Sequence, residues 1–171
     1  GVRIYLDEMP HTHSVSMGIF TNVGSRYEEA RVSGVSHFLE HMFFKGSAAR
    51  PTALEISEAI EGVGGYLNAS TSFDTTVYYC KVANIHMQRG LDVLADMLIN
   101  PLFEAKEIEK ERGVIQEEIK MSLDVPAHWV HQVLDEVMWG DQPLGRDIAG
   151  TLETVGGMTR DDLLSYRGRH Y

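Results

Sequence analysis

The sequence is poor in cysteine and has no long apolar run, which excludes two broad classes of protein. Cys80 is the only cysteine among 171 residues, so the chain cannot form an internal disulfide and is not a disulfide-stapled domain. No segment approaches the roughly 18 consecutive apolar residues that a membrane span requires. The chain is nevertheless long enough for one domain with a core of its own.

Basic side chains are also scarce. The chain has 15 lysines and arginines against 25 aspartates and glutamates, and its formal net charge is −10. This balance argues against a nucleic-acid partner, because basic patches drive the binding of nucleic acids. It suits a neutral or basic peptide partner, although an acidic surface also serves solubility alone.

The order of apolar and turn-forming segments predicts an α+β domain with a mixed, largely antiparallel sheet packed against several helices. Strands are expected at 3–8 and 14–23, and a hairpin is expected from GYLNAST and TTVYYCKV. Helices are expected at 33–45, with Ser33 as N-cap, and at 51–62, 85–99, 104–123, 127–139 and from 159 onward. Because this gives few strands for six helices, the sheet is expected to continue beyond Tyr171, so that the domain is truncated at its C-terminus.

The stretch HFLEHMFFKG, residues 37–46, contains the pattern H-x-x-E-H. On a helix, His37, Glu40 and His41 fall within about 100° of arc, opposite an apolar face. That apolar face consists of Val35, Phe38, Leu39, Met42 and Phe43. Histidines one turn apart can bind one zinc ion. The same pattern is compatible with the polar face of an ordinary amphipathic helix.

A catalytic zinc needs a third protein ligand and a free coordination position. The predicted helix 104–123 offers several glutamates for this role. Glu111 and Glu118 are two turns apart on nearly the same face, Glu104 falls near that face, and Glu117 points about 100° away. Spacing alone does not choose among them.

Several blocks of sequence resemble one known family. HFLEHMFFKG, GGYLNASTSFDTTVYY and IEKERGVIQEEI occur in this order, followed by PLGRDIAGT and SYRGRHY. Together they resemble the pitrilysin/insulinase family of inverted-motif zinc metallopeptidases, and most of all the bacterial processing-peptidase-like proteins and the β subunit of the mitochondrial processing peptidase. The resemblance implies a Zn²⁺-dependent endopeptidase that hydrolyses peptides or unfolded protein segments.

The resemblance also implies roles for residues around the metal. His37, His41 and Glu118 match the family's zinc ligands. Glu40 matches the catalytic glutamate, the general base that removes a proton from the water activated by zinc. Glu111 matches a second glutamate of the predicted helix 104–123, which orients a metal ligand by a hydrogen bond without binding the metal itself.

Three further residues match the family's substrate-binding positions. Asn68 and Ala69 correspond to a strand segment that pairs with the substrate backbone, a mode of binding that is largely blind to side chains. Phe44 corresponds, more loosely, to an aromatic residue beside the scissile bond. These matches predict a peptide-binding edge strand next to the metal.

The family's architecture implies that more than this chain is needed for full activity. Its members have two homologous halves, in one chain or two, which close around the substrate. Residues 1–171 are therefore expected to form an N-terminal zinc-metallopeptidase domain that lacks the second half and cleaves peptides poorly alone. The expected partners are a peptide substrate and a second homologous domain or subunit, in a homo- or heterodimer, with no nucleic acid or membrane.

The lone cysteine and the resemblance predict a cytoplasmic location. The alternatives are a non-catalytic subunit of the same fold or a zinc hydrolase with a non-peptide substrate.

Overall fold

The computed structural model describes residues 2–171 and contains a three-stranded antiparallel sheet. The strands are β1 (Ser14–Thr21), β2 (Tyr66–Thr71) and β3 (Thr76–Ala83), in the spatial order β1-β3-β2. β2 and β3 form the predicted hairpin, and Ala69 lies opposite Tyr78 in its register. Among the described strands, β2 is therefore an edge strand, hydrogen-bonded to β3 on one side only.

Seven α-helices complete the described part of the chain, which confirms the predicted α+β class. They are α1 (Val35–Phe43), α2 (Ala53–Glu61), α3 (Met87–Ile99), α4 (Ala105–Leu123), α5 (Pro126–Trp139), α6 (Leu152–Gly157) and α7 (Arg160–His170). The short helix α6 was not predicted from the sequence. None of these helices combines the length and apolar character that crossing a bilayer requires.

Helix α1 is the most deeply buried element of the core. Its predicted apolar face, Val35, Phe38, Leu39, Met42 and Phe43, has 0% exposure. This face packs in one cluster with side chains of the sheet and of α3 and α4, among them Tyr78, Leu94 and Ile115. Because the apolar face is turned inward, the opposite face of α1 is left half-buried, and it carries the two histidines and Glu40.

The start of α1 differs from the prediction. Gly34, not Ser33, is the N-cap, with φ 92°, and a Cβ at this position would lie 2.4 Å from the carbonyl oxygen of Ala149. The buried carboxylate of Glu28 accepts hydrogen bonds from the backbone N–H groups of Gly34, at 2.7 Å, and Ser36, at 2.8 Å. A carboxylate from outside the helix thus satisfies its first donors and complements the helix dipole.

The strand predicted at 3–8 is not formed. Residues 2–8 have no regular structure, and Val2, Ile4, Tyr5 and Leu6 are 84–91% exposed. Within residues 2–171, β1 is hydrogen-bonded to β3 alone, so the alternating pattern of this segment meets no neighbouring strand. A β-strand is stable only where another strand takes up its backbone hydrogen bonds.

Helix α5 carries its polar face inward. Its only half-buried residues are Gln132 and Asp135, which line a cavity together with His128, His131 and residues 145–148. Its apolar residues are exposed, namely Trp129, Val130, Val133, Leu134, Val137, Met138 and Trp139. The helix predicted at 127–139 is present, but its apolar face does not contribute to the described core.

Candidate metal centre

Three potential metal ligands converge where α1 packs against α4. The Nε2 atoms of His37 and His41 lie 3.3 Å apart. Glu118 on α4 places Oε2 3.5 Å from Nε2 of His41 and 3.9 Å from Nε2 of His37. Among residues 2–171, these three side chains form the one group of histidine, cysteine or carboxylate ligands close enough to share a metal ion.

The spacing of these donors fits zinc. Two nitrogen ligands at about 2.0–2.1 Å from a tetrahedral zinc lie roughly 3.3 Å from each other, which is the separation of the two Nε2 atoms. Two imidazoles and one carboxylate are also a donor set typical of catalytic zinc, because they leave a fourth position free. The site can therefore hold a zinc ion with little rearrangement of the histidines.

The protonation of His37 suits metal binding. Burial, together with the neighbouring His41, lowers the pKa of His37 to about 4. The imidazole is therefore neutral at pH 7, the form in which histidine binds metals. Its Nδ1 atom is buried and has no hydrogen-bond partner within the described part of the chain.

His41 is oriented by a buried carboxylate. Nδ1 of His41 lies 3.1 Å from Oε2 of Glu111. The residue Glu111 as a whole is 3% exposed. Burial raises the pKa of Glu111, but hydrogen bonds from His41 and Lys45 and the charge of Lys45 lower it by more. An ionised Glu111 favours the tautomer of His41 that carries its proton on Nδ1, and in that tautomer the lone pair of Nε2 is free to bind a metal.

Glu40 lies beside the three donors and is held by the sheet. Its Oε2 atom accepts a hydrogen bond from the hydroxyl of Thr71, the last residue of β2. Burial raises the pKa of Glu40, and the charge of Glu118 adds to the rise, whereas Thr71 and His41 oppose it. A half-buried carboxylate with a raised pKa is a stronger base than an exposed one and is suited to accept and return a proton.

The predicted substrate-binding residues lie on two elements. Asn68 and Ala69 belong to the edge strand β2, which ends at Thr71 next to Glu40. Asn68 is exposed, and its side-chain oxygen accepts a hydrogen bond from the backbone N–H of Ala69 at 2.8 Å. Phe44 follows the last turn of α1, and its half-buried ring packs against the core.

The remaining polar candidates do not belong to the group of three donors within the described residues. Glu104 is exposed, and Glu107, Glu109 and Glu117 form ion pairs within α4 with Lys110, Arg112 and Lys120. Of the α4 glutamates, the described structure brings only Glu111 and Glu118 to the histidines of α1. His128 and His131 are exposed residues of α5.

Two residues of the site were missed from the sequence. Lys45 forms an ion pair with Glu111 at 2.8 Å, and Thr71 donates to Glu40. Lys45 lies one helical turn after His41 in the sequence, so its spacing was a usable signal. Thr71 carried no such signal, because only the packing of β2 against α1 brings it to Glu40.

The chain is similar in sequence to named proteins and in fold to proteins of known structure. An uncharacterized zinc protease of Bacillus subtilis, YmxG, is 44% identical over all 171 residues, which span 42% of its length. A protease from Helicobacter pylori has a TM-score of 0.89 and 25% identity, over 94% of this chain and 38% of its own. Pitrilysin has a TM-score of 0.83 and 30% identity, over 95% of this chain and 18% of its own.

The chain also matches a family model over most of its length. This chain spans about two fifths of the length of the Bacillus relative. Residues 3–152 match the family described as insulinase, peptidase family M16. The chain belongs to the insulinase family.

Proposed function

We propose that residues 1–171 form the zinc-binding, catalytic domain of an endopeptidase that cleaves peptides or unfolded protein segments. The observation that carries this proposal is the convergence of His37, His41 and Glu118, with Glu40 beside them and outside the donor set. Relatives named as zinc proteases support it. The proposed ligands are these three side chains, and Glu40 is the proposed general base.

The chemistry divides between the metal and the protein. Zinc, when bound, supplies a Lewis acid that polarises the scissile carbonyl and lowers the pKa of water. Glu40 removes a proton from the attacking water and delivers it to the amine that leaves. Thr71 holds the Glu40 carboxylate in one direction, so the base is positioned before the substrate arrives. Glu111 keeps the Nδ1 proton of His41 in place and so fixes the ring orientation.

The substrate binds as an additional strand in this proposal. β2 is an edge strand among the described residues and ends at Thr71, which contacts Glu40. An extended peptide added along Asn68 and Ala69 would pass the metal and bind mainly through its backbone. Phe44 is the proposed aromatic neighbour of the scissile bond. A second homologous domain or subunit is the proposed cover for the bound peptide, so the chain alone should cleave slowly.

The first test measures zinc content per chain. We expect about one zinc ion in the wild-type chain and a loss, or a strong weakening, in Glu118→Ala. Glu117→Ala is the matched control, because Glu117 lies on the same helix but pairs with Lys120 at the surface. Equal zinc content in the wild type and Glu118→Ala would remove Glu118 from the ligand set, and a folded wild type without zinc would contradict the proposal.

The second test separates an enzyme from a non-catalytic subunit of the same fold. Glu40→Gln should retain zinc and lose turnover, since an amide cannot accept the proton. Turnover is measured on an unfolded protein substrate with the second homologous half supplied. Full activity in Glu40→Gln would exclude Glu40 as the base. Zinc binding without any peptide cleavage by the wild type would favour the non-catalytic alternative or a non-peptide substrate.

A further inference from the structure

Lys45 lies behind the candidate metal centre, and its ammonium group forms no hydrogen bond or ion pair with the three proposed ligands in the described structure. Its ammonium group is 2.8 Å from Oε1 of Glu111, and Oε2 of the same carboxylate is 3.1 Å from Nδ1 of His41. The Glu111 side chain is 4% exposed and that of Lys45 is 23% exposed. The two oxygens of one buried carboxylate are thus divided between a lysine and a proposed ligand.

The ion pair between Lys45 and Glu111 provides positive charge in a site that is rich in carboxylates. Glu40, Glu111 and Glu118 bring three carboxylates together. Among residues 2–171, Lys45 is the one lysine or arginine that forms an ion pair with any of them. With a divalent zinc and a protonated Lys45, the charges of the three carboxylates are balanced. Without Lys45, the buried Glu111 would lack its only full positive partner, and burial of an unpaired carboxylate is costly.

We propose that Lys45 is a positioning residue for metal binding, which fixes the Glu111 carboxylate so that Glu111 in turn orients His41. This inference rests on the proposed function and adds a residue to it. The ion pair holds one oxygen of Glu111, which leaves the other aimed at the Nδ1 proton of His41. Removal of the ammonium group allows the carboxylate to rotate away from Nδ1 of His41, and this rotation frees the ring of His41.

The variants are chosen to separate charge from shape. Lys45→Met removes the charge and keeps an unbranched apolar stem, whereas Lys45→Arg keeps the charge. Each is made in the wild-type chain and in Glu111→Gln, and the zinc affinity is measured by competition with a chromophoric chelator. Lys120→Met is the matched control, because it breaks a surface ion pair on α4. Thermal unfolding of the metal-free chains reports any general loss of stability, and Lys45→Gln replaces Lys45→Met if the latter does not fold.

We expect Lys45→Met to weaken zinc binding about tenfold, at the lower end of the range for residues that support metal ligands. Lys45→Arg should recover most of this affinity, and Lys120→Met should leave it unchanged. In Glu111→Gln, adding Lys45→Met should change the affinity by less than about twofold, because the two residues act through one contact.

Two results would overturn the proposal for Lys45 alone. One is wild-type zinc affinity in Lys45→Met, with or without a lower melting temperature of the metal-free chain. The other is an equal loss of affinity in the wild-type and Glu111→Gln backgrounds, which would mean that Lys45 acts elsewhere. A folded wild-type chain that binds no zinc would instead overturn the metal centre itself, and Lys45 with it.

Discussion

His41 has partners for both of its ring nitrogens, whereas His37 has a partner for one. Nδ1 of His41 faces Glu111, and Nε2 faces His37 and Glu118. Nδ1 of His37 is buried without a partner within residues 2–171. The orientation of the His41 ring is therefore fixed by a hydrogen bond to Glu111, whereas the orientation of the His37 ring is fixed mainly by the side chains packed around it. Loss of the support behind His41 should affect metal binding more than any change near Nδ1 of His37.

Ala69 is both a proposed substrate contact and a core residue. It is 9% exposed and faces Tyr78, which is fully buried, across the β2–β3 pair. Ala69→Leu should therefore lower the free energy of unfolding by about 1–3 kcal/mol through overpacking. The measurement is the urea midpoint.

Asn68→Leu is the control for this prediction, because Asn68 is the exposed neighbour on the same strand. It should change the free energy of unfolding by less than about 0.5 kcal/mol. Similar losses in both variants would show that β2, rather than the space around Ala69, is sensitive. A larger Michaelis constant in Ala69→Leu is evidence for substrate binding only after this loss of stability is corrected for.

At the scale of elements, buried or half-buried carboxylates secure the helices around the site. Glu28 caps α1 from outside the helix. Asp162 forms the capping box of α7 with Thr159 and also binds Arg31, which lies just before α1, at 2.7 Å. Asp162 thus connects the segment that precedes the histidines to α7, whereas Glu28 secures the start of α1 through contacts within that segment.

Asp162 should make stability depend on pH in the acid range. Arg31 and Thr159 hold the pKa of Asp162 far below its usual value of 3.8. Its stabilising contribution is therefore fully present above the unfolded pKa and is lost as the pH falls through the folded one. Asp162→Asn should cost about 1 kcal/mol at pH 7, and its difference from the wild type should shrink below about pH 4. The measurement is the free energy of unfolding across this range.

Asp161→Asn is the matched control, since Asp161 lies in the same first turn of α7 but is exposed. It should change the stability little at any pH. A constant difference between Asp162→Asn and the wild type from pH 7 to pH 3 would contradict the assignment of this ion pair and cap.

At the scale of the whole molecule, the candidate metal centre joins α1 to α4, which are separated in sequence by α2, the sheet hairpin and α3. A ligand that binds only the folded state stabilises it according to its concentration. Zinc at about 100 times its dissociation constant should therefore add about 2.7 kcal/mol and raise the melting temperature by roughly 5–10 °C.

This thermal shift should be smaller in Glu118→Ala and unchanged in Glu117→Ala. Magnesium is the control ion, because it prefers oxygen ligands and should bind this donor set weakly. A zinc-induced shift of equal size in Glu118→Ala would indicate that the ion binds elsewhere on this acidic chain, whose net charge is −10.

Much of the fold followed from local patterns, and two of the exceptions share one cause. The hairpin and the helices α1 to α5 and α7 were predicted because apolar period and turn residues agree in them. The prediction of a strand at 3–8 was wrong because a strand needs a neighbouring strand to take up its backbone hydrogen bonds, and a local pattern does not show whether one is present. The orientation of α5 could not be predicted from the spacing of its apolar residues either, because this spacing identifies an apolar face but not what that face packs against.

The sequence by itself determined that α1 would bury its apolar face and present His37, Glu40 and His41 together, because these positions follow from a period of 3.6 residues. Only the tertiary structure decided which side chains meet them. The burial of Ile108, Ile115 and Ile119 turns one face of α4 toward the core, and that packing brings Glu111 and Glu118, rather than Glu104 or Glu117, to the histidines. The contacts of Lys45 with Glu111 and of Thr71 with Glu40 depend on the same long-range packing, which spacing along the chain does not specify.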